Sequence, residues 1–286
     1  MKKAIMILAL AFGTTAAFAQ DLTSKKGEPY LPEEGDWAIC FDARPFLTYA
    51  GNLFSGNTGS NSSPAVMYPG NMPWGIHAKM FKDATTAYRA MIRLGFGSVT
   101  MNNYVTQDGQ TDPNVKVTDE WKSSARNILL GGGLEMRRGK TRLQGYYGGM
   151  VWIMLGGGSD TYTYGNAFST TNTSATFTNW PSTTPTTGSS RTTEVVAGST
   201  FGFGIRGFIG AEYFILPKIS IGAEYGWGIG MSNMGDGEMT TESWDFANNT
   251  IKTTTSKTGG VKSFGLDVDI SNNMLNAGAL NICFHF

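Results

Sequence analysis

The chain alternates between apolar and polar residues with a period of two in eight separate segments. Apolar side chains take every second position in these segments, and charged, polar or glycine residues take the positions between them. Such alternation predicts β-strands with one apolar and one polar face. The predicted strands are 37–44, 74–81, 88–96, 128–136, 143–153, 201–213, 219–227 and 280–286.

The connections between these strands differ strongly in length. Short turns are predicted at 82–85, 138–140 and 216–218, and they alternate with long polar connections at 50–73, 98–125, 156–194 and 233–274. Residues 159–193 contain 19 Ser or Thr in 35 positions. Unstructured loops of this length are uncommon in compact soluble domains. Short turns at one end and long loops at the other are typical of outer-membrane β-barrels.

The pattern therefore predicts an all-β fold, a closed antiparallel transmembrane β-barrel of eight strands. A closed sheet has no free edge, so every backbone polar group in the hydrocarbon is paired. Ten strands is the alternative, because 261–270 also alternates weakly; we assign that segment to the last outer loop, as a hairpin arm above the membrane. A β-sandwich or a lipocalin-like barrel is the soluble alternative. The membrane is favoured by aromatic residues near the predicted strand ends: Trp37, Trp74, Phe96, Tyr213, Trp227 and Phe286.

The N-terminus has the features of a secretory signal peptide. Lys2 and Lys3 precede an apolar stretch at 5–12, and 17–19 read Ala-Phe-Ala, a small-x-small cleavage site. The apolar stretch is too short to span a bilayer as a helix. We therefore divide the chain into a signal peptide at 1–19, a short periplasmic tail at 20–34 and a barrel at 35–286.

Composition excludes two classes of protein. Charged residues make up 15% of the chain, against roughly 25% in soluble domains. The 38 glycines and the many threonines leave few strong helix formers, so a helical bundle is not expected. With 22 basic and 22 acidic residues, the chain lacks the basic surface of a nucleic-acid-binding protein.

Two segments resemble a known family. Residues 35–54 contain Gly-Asp-Trp, Phe-Asp, Pro-Phe-Leu and Gly-Asn-Leu-Phe, and are similar to the first strand of small outer-membrane β-barrel proteins of the Bacteroidota. Residues 278–286 resemble the C-terminal signal that the barrel-assembly machinery recognises, with Leu280, Ile282, Phe284 and a terminal Phe286. The resemblance implies an OmpA-like transmembrane barrel in the outer membrane of a Gram-negative cell. Since the chain ends at the barrel, no peptidoglycan-binding domain is expected to follow.

If the apolar face contacts lipid, the opposite face lines the interior. Acids and bases there are predicted to form a network of paired charges, because an unpaired buried charge is costly. An eight-stranded interior is just wide enough to be filled by side chains. A salt-bridged plug and a charged pore or proton path are the two interpretations; inward Tyr146, Met150, Trp152 and Phe208 favour the plug. The predicted network is Asp42, Arg44, Lys79, Arg89, Arg93, Glu135, Arg142, Arg206, Glu212 and Glu224.

The two cysteines lie in the first and last predicted strands, which are neighbours in a closed barrel. If Trp37 is level with Phe286, then Cys40 lies opposite Cys283, and a disulfide would link the two strands in an oxidising periplasm. The alternative is two small interior side chains at different heights, because the stagger of a barrel cannot be read from its sequence.

Motifs for catalysis or metal binding are weak. The chain has no G-x-S-x-G, no H-E-x-x-H and no Cys/His spacing of a metal site, and its only histidines are His77 and His285. His77 is expected to be a hydrogen-bonding interior residue and His285 a residue of the barrel rim. We therefore expect neither enzymatic activity nor a cofactor.

The outer loops are the remaining functional surface. They are rich in Thr, Ser, Asn, Gly and aromatic residues, which suits contact with an extracellular ligand or a membrane-protein partner; solvated cover over a structural barrel is the alternative. The expected role is structural or surface interaction. A narrow diffusion channel is the second hypothesis, and a lipid-modifying enzyme the third.

Overall fold

A computed structural model describes residues 22–43, 49–52, 54, 76–268 and 278–286. The predicted signal peptide, Arg44 and Trp74 lie outside this part of the chain. The described residues form β1 (Trp37–Asp42), β2 (Ile76–Asp83), β3 (Thr86–Thr106), β4 (Lys116–Arg138), β5 (Leu143–Thr163), β6 (Ala175–Asn179), β7 (Thr184–Gly188), β8 (Ser190–Leu216), β9 (Ile219–Met234), β10 (Gly237–Asp245), β11 (Thr250–Thr258), β12 (Val261–Val268) and β13 (Gly278–His285). Within these residues, no helix is long and apolar enough to cross a bilayer.

Eight of these strands form a closed ring. Each of β1, β2, β3, β4, β5, β8, β9 and β13 pairs antiparallel with the next in that order, and β13 pairs with β1. The chain is therefore all-β, and its main sheet returns to its first strand. We call the end with the connections 84–85, 139–142 and 217–218 the turn end, and the opposite end the loop end.

The main sheet contains eleven strands, where the sequence predicted eight. Part of the difference comes from interruptions. The strand β10 follows β9 along the same neighbour, β8, and β12 precedes β13 along β9, with Val268 opposite Trp227 and Gly278 opposite Tyr225. The placement of 261–270 in a hairpin arm above the membrane is therefore wrong for 261–268, which pair with β9 as part of the sheet.

The strands also run much further towards the loop end than predicted. Most of the expected loop at 98–125 is strand, because β3 continues to Thr106 and β4 begins at Lys116. The outward face of these extensions is mostly polar, and their few apolar residues, such as Val99, Met101 and Val105, lie on the inward face. The apolar alternation of the segments below therefore does not continue into them. Their threonines still favour the extended backbone, and the ladder satisfies its polar groups.

The strands are staggered around the ring. Successive registers make Trp37 level with Tyr88, Leu134, Gly207 and finally Trp227. On the last strand, Gly278 pairs with Tyr225, which is two residues from Trp227. Trp37, however, pairs with Phe286, which is eight residues after Gly278. The circuit is thus displaced by about ten residues, which for eight strands corresponds to a tilt of roughly 40°.

The two faces of the ring have opposite chemistry. Outward side chains are apolar and exposed, such as Phe96 at 67% and Val151 at 61%. Inward side chains include buried charged residues, such as Arg89 at 4% and Glu135 at 0%. This is the reverse of a soluble β-sandwich, whose apolar faces pack against each other.

Inward glycines make room for large inward side chains. A Cβ added to Gly204 would lie 2.5 Å from Cζ2 of Trp152, and one added to Gly226 would lie 2.5 Å from Nε of Arg206. Since a ring of eight strands cannot hold a large side chain at every inward position, large residues alternate with glycine across neighbouring strands. This explains part of the glycine content.

The turn end is closed by local contacts. Asp83 Oδ1 accepts hydrogen bonds from the N–H of Thr85 (2.7 Å) and from its hydroxyl (2.6 Å). The hydrogen bonds from the Thr85 side chain and backbone hold the pKa of the Asp83 carboxyl below its usual value. The segment before β1 packs against the same end, where the ring of Tyr30 lies 3.6 Å from the Arg142 guanidinium.

Candidate functional site

The interior near the turn end holds a cluster of buried ion pairs around two carboxylates. Arg137 Nη1 lies 2.7 Å from both Glu135 and Glu212, and Lys79 Nζ lies 3.2 Å from Glu135 and 3.4 Å from Glu212. All four side chains are at most 4% exposed. Each carboxylate thus faces at least two cations, and the cluster connects β2, β4 and β8 across the interior.

A second group of ion pairs lies directly above the first. Glu224 accepts one hydrogen bond from Arg89 Nη1 and another from Arg206 Nη1, each 2.7 Å long. Arg89 also lies 3.6 Å from Glu135, which joins the two groups into one network. We call the seven residues Lys79, Arg89, Glu135, Arg137, Arg206, Glu212 and Glu224 the interior network. It contains four cations and three carboxylates.

Six of the ten side chains predicted for the interior belong to this network. Arg93 lies further along β3, opposite Leu129. Arg142 lies at the turn end, against Tyr30. The backbone of Asp42 pairs with Asn281 in the ring, while its side chain and the whole of Arg44 lie outside the described residues.

Sequence reasoning missed two members of this region. Arg137 was not assigned to the interior, although it follows Glu135 by two positions and so shares its face. His285, expected at the rim, is 4% exposed, and its ring lies 5.0 Å from that of Phe214 and 5.7 Å from that of Phe81. Extending the predicted strand 128–136 by one residue would have found Arg137, whereas His285 already alternates with the apolar residues of the predicted strand 280–286.

His285, Ser220 and Glu212 lie close together but are not arranged for nucleophilic catalysis. The Ser220 hydroxyl donates to Glu212 Oε1 over 2.6 Å, and His285 Nε2 lies 2.9 Å from the same hydroxyl oxygen. The single hydroxyl proton is directed to Glu212, so Nε2 must donate to the oxygen instead of accepting its proton. A nucleophilic serine needs a neighbouring base that accepts the proton of its hydroxyl.

Bulky side chains fill the interior above and between the ion pairs. Tyr146 lies over the Lys79 ammonium, with Nζ 4.8 Å from the ring centroid, and Phe208 lies over the Arg89 guanidinium at 4.2 Å. Further towards the loop end, Leu129, Trp152 and Met154 form a buried apolar layer. These side chains and the ion pairs thus occupy the interior in successive layers.

The two cysteines join the first and last strands of the ring. Cys40 and Cys283 are opposite each other in the register of β1 and β13, and they form a disulfide. Trp37 and Phe286 exchange both backbone hydrogen bonds, and the cysteines lie an odd number of positions further along. They therefore occupy a non-hydrogen-bonded pair, where the side chains are closest.

The residues of the proposed assembly signal lie on the outward face of β13. Leu280, Phe284 and Phe286 are 37%, 45% and 61% exposed, and Ile282 is half-buried. They alternate with buried Asn281, Cys283 and His285.

The loop between β5 and β8 folds inward across the loop end. Its hairpin, β6 and β7, is anchored on Asp119, an inward residue of β4 that is 0% exposed. Asp119 accepts hydrogen bonds from the N–H of Gly165 (2.9 Å) and from the N–H and hydroxyl of Thr178 (2.7 and 2.8 Å). The sequence predicted a long polar connection at 156–194, and its central part is a packed cap over the interior.

Arg191 is the second anchor of this cap. Its guanidinium lies 4.4 Å from the ring centroid of Tyr164 and 4.6 Å from that of Phe168, and it pairs with Glu242 at 2.6 Å. Burial raises the pKa of the Tyr164 phenol, which donates a hydrogen bond to the carbonyl of Thr192. Phe168, Ala175 and Trp244 form a small apolar core beside it. Among the described residues, no group of His, Cys, Asp or Glu is placed to hold a metal ion.

No protein-family model matches the sequence, and none of the curated proteins is significantly similar to it. Among solved structures, the chain is similar to a major outer membrane protein from Thermus thermophilus. The two are 9% identical, the similarity covers 88% of this chain and 98% of the other, and the TM-score is 0.29. That TM-score is too low for the similarity to assign a fold or a role to this chain.

Proposed function

We propose that this chain is an integral outer-membrane β-barrel protein of the small, OmpA-like Bacteroidota type, with a structural or surface-interaction role. One observation carries the proposal: a closed ring of antiparallel strands that is apolar outside and charged inside. In water this arrangement would expose a wide apolar surface. In hydrocarbon the same arrangement gives every backbone polar group a hydrogen-bond partner and keeps the charged side chains away from the lipid.

The height of the apolar band supports a membrane as its surroundings. On β8 the outward apolar positions run from Phe201 to Ile215. With a rise of about 3.3 Å per residue and a tilt of roughly 40°, this stretch spans about 35 Å along the ring axis. That height lies between the thickness of the hydrocarbon core of a bilayer, about 30 Å, and that of the whole bilayer, about 40–45 Å.

The filled interior favours a closed barrel over a diffusion channel. The interior network, the aromatic rings on its cations and the apolar layer above them lie in series, and the anchored cap covers the loop end. The contact surface is then the outside of the cap and the β10–β11 hairpin. We propose as partners the lipids of the outer membrane, the barrel-assembly machinery during insertion, and an extracellular ligand or membrane-protein partner at the loop end. Neither catalysis nor a cofactor is part of the proposal.

Heat modifiability and surface labelling test the membrane topology. The refolded mature protein is expected to migrate faster on a denaturing gel before boiling than after it. An epitope tag inserted between Asn248 and Asn249, in the β10–β11 turn, is expected to be labelled on intact cells. The matched control carries the same tag between Gly139 and Lys140, in the β4–β5 turn, and is expected to be labelled only after lysis. Labelling of both on intact cells, or a water-soluble folded monomer, would contradict the proposal.

Conductance tests the closed interior. We expect the intact protein to give no stable current steps in a planar bilayer, and a variant lacking 164–189 to remain silent because the layers below still fill the ring. Reproducible steps from the intact protein would favour the diffusion channel.

A further inference from the structure

The upper boundary of the apolar band contains a polar patch on the outward face of β3, β4, β5 and β8. Three successive outward rows mark the change. The first is Leu94, Ile128 and Leu155, the second is Phe96, Arg126 and Gly157, and the third is Ser98, Ser124 and Ser159. Within two rows the surface changes from aliphatic to one cation and a line of hydroxyls.

The patch is shaped around the Arg126 side chain. A Cβ on Gly157 would lie 3.3 Å from Nε of Arg126, so the absence of a side chain there lets the guanidinium lie across β5. From this position Nη2 reaches the hydroxyl of Ser199 on β8, 3.5 Å away. Directly above it, the hydroxyls of Ser124 and Ser159 lie 3.0 Å apart.

These side chains line a shallow depression of about 620 Å³, bordered by Phe96 and Val196. Among the described residues that line it, Arg126 is the one charged side chain, and there is no carboxylate. Arg126 is exposed, and its contact with Ser199 is long, so most of its N–H groups are available to a ligand.

The place of this patch on the barrel limits what can cover it. If the chain spans the outer membrane as proposed, the row of Leu94, Ile128 and Leu155 contacts acyl chains, and the rows above it meet the headgroups of the outer leaflet. A guanidinium is suited to phosphate because its planar N–H groups can bind two oxygens at once. Serine hydroxyls donate further hydrogen bonds, and Phe96 lies where the first acyl carbons begin.

We propose that Arg126, with Ser124, Ser159 and Ser199, binds the phosphate of an outer-leaflet lipid headgroup. This inference rests on the proposed function, because only an outer-membrane barrel places these residues at the headgroup level. The site fixes one lipid against one side of the barrel, on the wall formed by β4 and β5.

The chain offers a matched control on another part of the ring. Lys262 is an exposed cation on β12, opposite Asn233, and it shares the outward face of Phe264 and Leu266. Its position near the loop end of the ring is similar, but its cross-strand neighbour is Asn233 instead of a row of serines. Loss of Lys262 removes the same charge as loss of Arg126 without disturbing the patch.

Binding is measured with the mature protein refolded into phosphatidylcholine nanodiscs and titrated with bisphosphorylated lipid A. Native mass spectrometry counts the retained lipid, and dephosphorylated lipid A and inorganic phosphate are run in parallel. We expect the wild type and Lys262→Gln to retain lipid A equally, and Arg126→Gln to bind it roughly tenfold more weakly, the loss of about one charged hydrogen bond. Arg126→Lys is expected to be intermediate. The wild type is expected to bind the dephosphorylated lipid as weakly as Arg126→Gln binds the phosphorylated one.

Several results would overturn the inference. Arg126→Gln binding as tightly as the wild type, Lys262→Gln losing as much, or equal retention of the dephosphorylated lipid would each exclude a phosphate site at Arg126. Displacement of lipid A by equimolar inorganic phosphate would assign the patch to free phosphate. Heat modifiability of each variant is measured first. A wild-type protein that does not insert contradicts the proposed function as well, whereas one that inserts without discriminating between the lipids contradicts this inference alone.

Discussion

Replacing Glu224 with glutamine tests whether the interior network holds the barrel together. Glu224 accepts a 2.7 Å hydrogen bond from Arg89 on one oxygen and another from Arg206 on the other. Glutamine keeps the volume and one acceptor oxygen, but its amide presents N–H groups to the second guanidinium. One charged hydrogen bond is lost, and two buried cations are left without their shared anion.

The magnitude follows from these contacts. A hydrogen bond to a charged group contributes about 1.5–3 kcal/mol, and breaking a buried pair from one side costs about 3–5 kcal/mol because the remaining charge is uncompensated. Arg89 keeps its 3.6 Å approach to Glu135, which offsets part of the loss. We therefore expect Glu224→Gln to lower the free energy of unfolding by about 3 kcal/mol.

The assay is urea unfolding of the protein refolded in phospholipid vesicles, followed by tryptophan fluorescence and by the heat-modifiable gel band. Glu238→Gln, at an exposed position of β10, is the matched control and is expected to change stability by less than about 0.5 kcal/mol. A Glu224→Gln barrel within about 0.5 kcal/mol of the wild type would refute the reasoning. It would mean that water or neighbouring groups such as Glu135 compensate the two arginines once Glu224 is gone.

Three further changes test other parts of the structure. Cys40→Ser removes the disulfide that closes 243 residues of chain, and we expect the folded gel band to persist but to convert at a lower temperature; an unchanged conversion temperature would show that backbone pairing alone holds the seam. Gly204→Ala forces a methyl group into the tryptophan ring above it and is expected to cost about 1–3 kcal/mol in urea unfolding, whereas Gly265→Ala meets nothing within 4 Å and is expected to be neutral. Asp119→Asn replaces an acceptor oxygen by an amide N–H₂ group that faces the N–H donors of Gly165 and Thr178. We expect faster protease cleavage within 175–188, while the gel band of the folded barrel stays intact. Cleavage at the wild-type rate would show that Asp119 does not anchor the hairpin.

The period-two pattern was enough to predict which way the strands face. Apolar residues that alternate with Lys79, Arg89, Glu135 and Glu212 predicted an apolar outside and a charged inside, because in a strand successive side chains point to opposite faces. The inward orientation of Trp152 follows from the same rule. These properties are local, so one strand is sufficient to read them.

The pattern failed where the strands continue beyond the apolar band. In the extension of β3 to Thr106 the outward face is mostly polar, and the apolar residues Val99, Met101 and Val105 lie on the opposite face from those of the segment below. This reversed and interrupted alternation was interpreted as a loop. Only the backbone ladder to β4 makes it a strand. The inward fold of 164–189 likewise depends on Asp119 and Arg191, which lie in other strands and reach the loop only when the ring is closed.

The amino-acid sequence is sufficient to establish the class of chain, an alternating, glycine-rich and charge-poor polypeptide with most charges of its predicted strands on one face. Which charges meet depends on the folded ring. Glu212 and Lys79 are 133 positions apart, and Arg89 and Glu224 are 135 apart, and their contacts depend on the stagger of the ring. The stagger is set by all the registers together, so it also decided that Cys40 faces Cys283 and that Arg126 stands at the edge of the apolar band.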